Sequence, residues 1–139
     1  MIELIPQTVA DREGLNPALV QSISPYLNPA HVLSPPRDWL EALVHGETSW
    51  PFFRLRYKDM LRKRFLDEPA RFYNLLQASQ GSRKMYLACH CLTSHCHREI
   101  AREFLEHVRE EEDYGRWLAA QNLPILRPVH LVEHPLGRH

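Results

Sequence analysis

Apolar positions recur along this chain at two different spacings, and the change from one to the other maps the elements. Phe53, Tyr57, Met60, Leu61 and Phe65 repeat every three to four residues, which predicts a helix with one core-facing side. Ser49 precedes it as a start signal, and Pro51 falls in the first turn, where a missing N–H costs nothing. A shorter helix is expected before it, capped by Asp38, with Trp39, Leu40, Leu43 and Val44 on its apolar side and its end near Gly46. Glu68–Ser79 predicts a third helix with Phe72, Leu75 and Leu76 inward and Gly81 beyond its end. Lys84–Cys89 breaks this rhythm: an unbroken apolar run bounded by Gly81 and Ser82 reads as a strand. After a polar loop, Ile100, Ala101, Phe104, Leu105 and Val108 define another amphipathic helix ending in Glu110–Asp113. Tyr114–Gln121 adds a turn or two with Trp117 and Leu118 buried, and Pro128–Glu133 reads as a last strand.

Proline divides the chain. Of 11 prolines, six occur by residue 36 and none between 70 and 123. Residues 1–36 are therefore expected to be an irregular Pro-rich segment with at most a brief strand over Ile2–Ile5. Residues 37–139 are left to hold the helices, the sheet and a Cys/His loop at 89–98. The fold class that follows is α/β: one domain over 1–139, with a small, partly parallel sheet containing a βαβ unit and flanked by helices. There is no internal repeat and no Gly/Ser linker to divide it.

Composition narrows the function classes. Lys+Arg and Asp+Glu are 17 each, so the formal net charge is +0. That balance argues against holding nucleic acid or an anionic membrane by bulk charge alone. No apolar run approaches the roughly 18 residues of a membrane helix, and Met1–Pro6 lacks the basic and apolar stretches of a secretory signal. The expectation is a cytoplasmic protein with no membrane partner. Charge is nevertheless unevenly placed. Arg54, Arg56, Lys58, Arg62, Lys63 and Arg64 crowd one predicted helix, and Glu103, Glu106, Glu110, Glu111, Glu112 and Asp113 crowd another. The plain account is solvated helix faces. The sharper one is a basic helix beside an anion pocket, handling a nucleotide or a nucleic-acid end, with Trp50 and Tyr57 available to stack on a base.

The chemistry concentrates in one place. All three cysteines and three of nine histidines lie within residues 89–97. Three clustered cysteines do not make a disulfide framework, so reduced, reactive or metal-bound thiols are expected. The loop leaves the carboxyl end of the Lys84–Cys89 strand, where parallel sheets bind ligands. Cys96 falls where the next helix begins, with Glu99 three residues on as in a capping box. Free N–H groups and the helix dipole there favour an anion, and the same field favours a thiolate, so Cys96 is expected to have the lowest pKa of the three thiols.

Three readings compete for this loop. In the first, Cys96, Cys91 and His97 are catalytic, while Arg98, His90, Ser94 and Asn28 bind a phosphate-bearing small molecule or nucleotide. No cofactor is required. In the second, Cys89, Cys91, Cys96 and His97 hold zinc in an interaction module without turnover. In the third, Cys89 is a small core residue, the histidines face solvent, and Asn28 is a turn residue between Pro25 and Pro29. Cys91 followed by six residues and Arg98 approaches the phosphate-cradling loop of cysteine phosphatases, which has five.

Met85-Tyr-Leu-Ala-Cys-His-Cys91, followed by Cys96-His97, resembles the signature of domain-of-unknown-function family 4326. Ser24-Pro-Tyr-Leu-Asn-Pro29 resembles an upstream segment of that family. The Cys96-His97-Arg98 triplet is instead similar to family 488, also of unknown function, in which a strand ending in Cys precedes Cys-His-Arg. Trp50, Phe53 and Tyr57 echo its helical aromatic pattern. Family 4326 usually has Gly where Arg98 stands, and family 488 has a longer Cys-to-Cys spacing. Both resemblances imply a compact α/β domain with a Cys-His-Arg site, and neither implies a reaction.

Overall fold

Three strands, β1 (Ile2–Pro6), β2 (Val20–Ser22) and β3 (Met85–Cys89), pair in the order β1–β3–β2, and both pairings are parallel. The computed structural model describes residues 2–77, 79, 84–89 and 96–121. In register, Ile2 pairs with Met85 and Pro6 with Cys89 on one side of β3, and Val20 pairs with Tyr86 on the other. Met85, Leu87, Ala88 and Cys89 are all buried, because a central parallel strand is covered on both faces. This is why Lys84–Cys89 reads as a continuous apolar run.

The first 36 residues hold more regular structure than their prolines suggest, and the expectation of an irregular segment is corrected. β1 runs directly into helix α1 (Gln7–Glu13), and a 3-10 turn at Pro17–Leu19 leads into β2. Pro6 stands at the N-cap of α1 and Pro17 opens the 3-10 turn. Both occupy starts, where the missing N–H breaks no ladder. Gly14, at φ +63°, closes α1 with the left-handed backbone that glycine adopts without strain.

Among the described residues five further helices follow: α2 (Arg37–Val44), α3 (Trp50–Asp67), α4 (Pro69–Gln77), α5 (His97–Arg109) and α6 (Glu112–Ala120). Pro36, not Asp38, is the cap of α2, and Asp38 lies in the first turn where the helix dipole favours a carboxylate. Val44, expected on the apolar side, is exposed. α3 begins as expected, with Ser49 Oγ accepting the Phe52 N–H at 3.3 Å. Phe53, Tyr57 and Leu61 are buried, and α3 packs on α5 and α4. α5 lies on β1 and β3, burying Ile100, Ala101, Leu105 and Val108, while α1 also packs on β1 and β3.

Much of the uneven charge is used within the chain. Arg54 and Lys58 both reach Glu103 at 3.6 Å, tying α3 to α5, and Arg62 and Lys63 pair with Asp59. The expected strand Pro128–Glu133 lies outside the described residues. Parallel pairing comes instead from β1 and β2, joined through α1. No described helix is long and apolar enough to cross a membrane.

Candidate thiol site at the carboxyl edge of the sheet

Three chain segments leave the carboxyl ends of the parallel strands: α1 after β1, the loop 23–36 after β2, and the Cys/His segment after β3. A loop that buries Ile23, Ser24, Val32, Leu33 and Ser34 must find partners for its carbonyls. Distant side chains supply them. Tyr57 donates its hydroxyl to the Leu33 carbonyl at 2.6 Å, and Arg64 donates to the carbonyls of Val32 and Ser34, each at 2.8 Å. Arg71 donates to the Ala30 carbonyl at 3.2 Å.

Within the loop, the Leu33 N–H donates to His31 Nδ1 at 3.0 Å, which leaves Nε2 as the protonated nitrogen facing Gln21 Oε1 at 2.8 Å. Burial, helped by the nearby Arg71 and Arg64 charges, pushes the His31 pKa down to about 4. Asn28 is bonded within the loop: its side-chain amide donates to the Ser22 carbonyl at 3.2 Å and its own carbonyl accepts from Ser34 Oγ at 2.8 Å. Of the two residues expected to stack on a base, Tyr57 is fully buried and Trp50 stacks on Phe53 at 5.5 Å.

A second polar group spans the sheet's carboxyl edge. Buried Gln7 accepts from Ser22 Oγ at 2.7 Å and donates to Asp11 Oδ1 at 3.0 Å, linking the ends of β1 and β2, which flank β3. Sequence reasoning did not single out Gln7 or Ser22. The signal available was a strand ending in Pro6 directly before a helix, which the density of prolines concealed.

The thiols occupy the centre of this edge. Cys89 is the last residue of β3 and Cys96 is the N-cap of α5, with φ −128° and ψ 139°. Their sulfurs are 3.1 Å apart, and both residues are buried. Cys96 Sγ accepts the Arg98 backbone N–H at 3.4 Å and the Arg98 Nε–H at 3.0 Å. A side-chain acceptor is what an N-cap supplies, and here the acceptor is sulfur rather than oxygen. Donors aimed at a sulfur favour its charged form, as does the positive end of the helix dipole.

His97, the first residue of α5, is 1% exposed. Its Nε2 lies 2.7 Å from the Ile23 carbonyl, which can only accept, so Nε2 carries the proton in that bond. The edge of the same imidazole meets the Tyr57 ring at a centroid distance of 5.7 Å. Ligand atoms of Cys89, Cys96 and His97 all lie within 4.8 Å of one another. The structure thus brings together Cys96, His97 and Arg98 from the expected catalytic and binding set, with Cys89 in direct contact. Asn28 is held in the neighbouring loop. His90, Cys91 and Ser94 lie outside the described residues.

A family model, DUF488-N3a, described as the active DUF488-N3 subclade, matches residues 20–109. The chain belongs to this family. The matched span runs from β2 through α5, so it contains the braced loop and both described thiols. No curated protein and no solved structure matches.

Proposed function

We propose that this DUF488-N3a chain carries a thiol-dependent site for a phosphate-bearing small molecule, a nucleotide or a nucleic-acid end, with Cys96 as its nucleophile. The observation that carries the reading is the double donation from Arg98 to Cys96 Sγ, through its backbone N–H and through Nε. A sulfur so held at a helix start is a better nucleophile near neutral pH than a free thiol, because more of it is thiolate. The planar Arg98 guanidinium adds the donor geometry that matches phosphate or carboxylate oxygens. His97, tied to Ile23 and set among the sulfurs, fixes the position of the α5 start relative to the loop after β2.

Replacing Arg98 with Ala tests the anion pocket. Binding of nucleotides and inorganic phosphate, followed by calorimetry, should weaken by about 1.5–3 kcal/mol, the size of a charge-assisted hydrogen bond. Equal binding by wild type and R98A contradicts the assignment of Arg98 as a ligand residue.

A second reading is favoured by one observation, the convergence of Cys89, Cys96 and His97 ligand atoms within 4.8 Å. Two thiolates and an imidazole suit zinc, and a His whose other nitrogen donates to a carbonyl is the usual outer-sphere arrangement. The fourth ligand of that set would be Cys91. The thiol reading expects purified chain to contain no stoichiometric zinc. One equivalent by elemental analysis, with the thiols closed to alkylation until chelator is added, supports the metal reading instead.

A further inference from the structure

We infer that Cys89 is the partner thiol of Cys96, and that the two form a reversible intramolecular disulfide when the site meets a small hydroperoxide such as hydrogen peroxide. This rests on the reading of Cys96 as the activated thiol. The two sulfurs come from different elements and are seven residues apart in the chain, yet lie 3.1 Å from each other. A disulfide bond is about 2.05 Å long, so closure needs a sulfur displacement of only about 1 Å.

Both ends are held for that encounter. Cys89 is fixed by the register of the central strand, opposite Pro6, and Cys96 by its capping role at α5. The fold has already met the entropic cost of bringing the two thiols together. Cys96 is 3% exposed and Cys89 1%, an enclosure that admits a small peroxide more readily than a protein disulfide.

The asymmetry between the two sulfurs sets the order of events. Cys96 receives the Arg98 N–H and Nε–H donors, so its thiolate attacks the peroxide oxygen first. The O–O bond breaks, the sulfur takes one oxygen as sulfenic acid, and the remaining oxygen leaves as water after protonation. Cys89 then attacks the Cys96 sulfur, expelling that oxygen as a second water and forming the S–S bond. Overall two thiols lose two electrons and two protons, and one hydrogen peroxide becomes two waters. Thiol–disulfide exchange with a small dithiol reductant reverses the change. The pair would keep Cys96 from further, irreversible oxidation.

The test treats reduced, full-length chain with hydrogen peroxide in the presence and absence of dimedone, then maps peptides by mass spectrometry, for wild type and for C89S. The expected result is a Cys89–Cys96 linked peptide in wild type, with loss of both free thiols and recovery by dithiothreitol. In C89S the link is lost and Cys96 carries the dimedone adduct. Dimedone on Cys96 in wild type without any link overturns the role of Cys89 and leaves the activated thiol standing. A link between Cys91 and Cys96 likewise overturns it. No oxidation of Cys96 in either chain overturns both this inference and the reading beneath it. The wild-type map decides the matter even where C89S folds poorly.

Discussion

The loop after β2 and the start of α5 meet the same edge of one sheet, and the described polar groups around them are arranged differently. After β2, the donors are spread: Tyr57, Arg71 and His97 reach one backbone carbonyl each and Arg64 two, all between Ile23 and Ser34. After β3, two donors converge on a single atom, Cys96 Sγ, beside a second sulfur. Spread donors satisfy buried backbone and contribute stability. Converging donors stabilise charge on one atom and contribute reactivity. One edge of a small sheet is thus divided into a frame and a reactive centre. His97 joins the two, donating to the frame at Ile23 while lying among the sulfurs.

The largest expected effect breaks the frame. Tyr57 is fully buried, stacks on Phe53 and meets His97 edge-on, so Y57A should cost about 3–5 kcal/mol of stability in a urea unfolding series. A loss below about 1 kcal/mol would show that the core around α3 collapses without it.

Acid should act on the frame through His31. Its pKa is about 4 in the folded chain against an ordinary 6.5, so between those values the unfolded chain binds more protons. Stability from this group is fully present above about pH 6.5 and is lost as pH falls toward 4, by at most about 3 kcal/mol. H31Q should flatten that part of the stability–pH curve. A wild-type curve already level between pH 7 and 4.5 would contradict a half-buried, neutral His31.

A smaller change separates frame from centre. Y57F keeps the ring against His97 and removes the hydroxyl that donates to the Leu33 carbonyl, at a cost of about 1–3 kcal/mol. Thiol titration should not move, whereas R98A should shift the titration with little loss of stability. If Y57F moves the thiol titration as much as R98A does, the two regions are one cooperative unit.

How far the sequence revealed this division depends on the range of the contacts. α3 was legible because its apolar spacing, Ser49 and Pro51 are local signals, and β3 because burial on both faces leaves an unbroken apolar run. The Cys96 cap was legible from the polar loop and the periodicity after it, and the Cys96-His97-Arg98 triplet pointed to family 488, the one whose subclade model matches. β2 was not legible. It has three residues, all half-buried, and is a strand only because β3 lies beside it. β1 was seen, but its neighbour α1 was hidden by reading Pro6 as a breaker rather than a helix start. The contact between Cys89 and Cys96, and the Gln7–Ser22 bond, join residues through the paths of whole elements, which periodicity does not encode.

The central claim is that Arg98 and the α5 start hold Cys96 as the activated thiol. The most direct measurement is the pH dependence of alkylation at each cysteine of the native chain, resolved by peptide mapping. The account predicts that Cys96 labels ahead of Cys89 near pH 6.5, with a midpoint below the free-thiol value of about 8.5 that returns toward it in R98A. Cys89 labelling first, or all three cysteines reacting at the rate of an unfolded control, would contradict it.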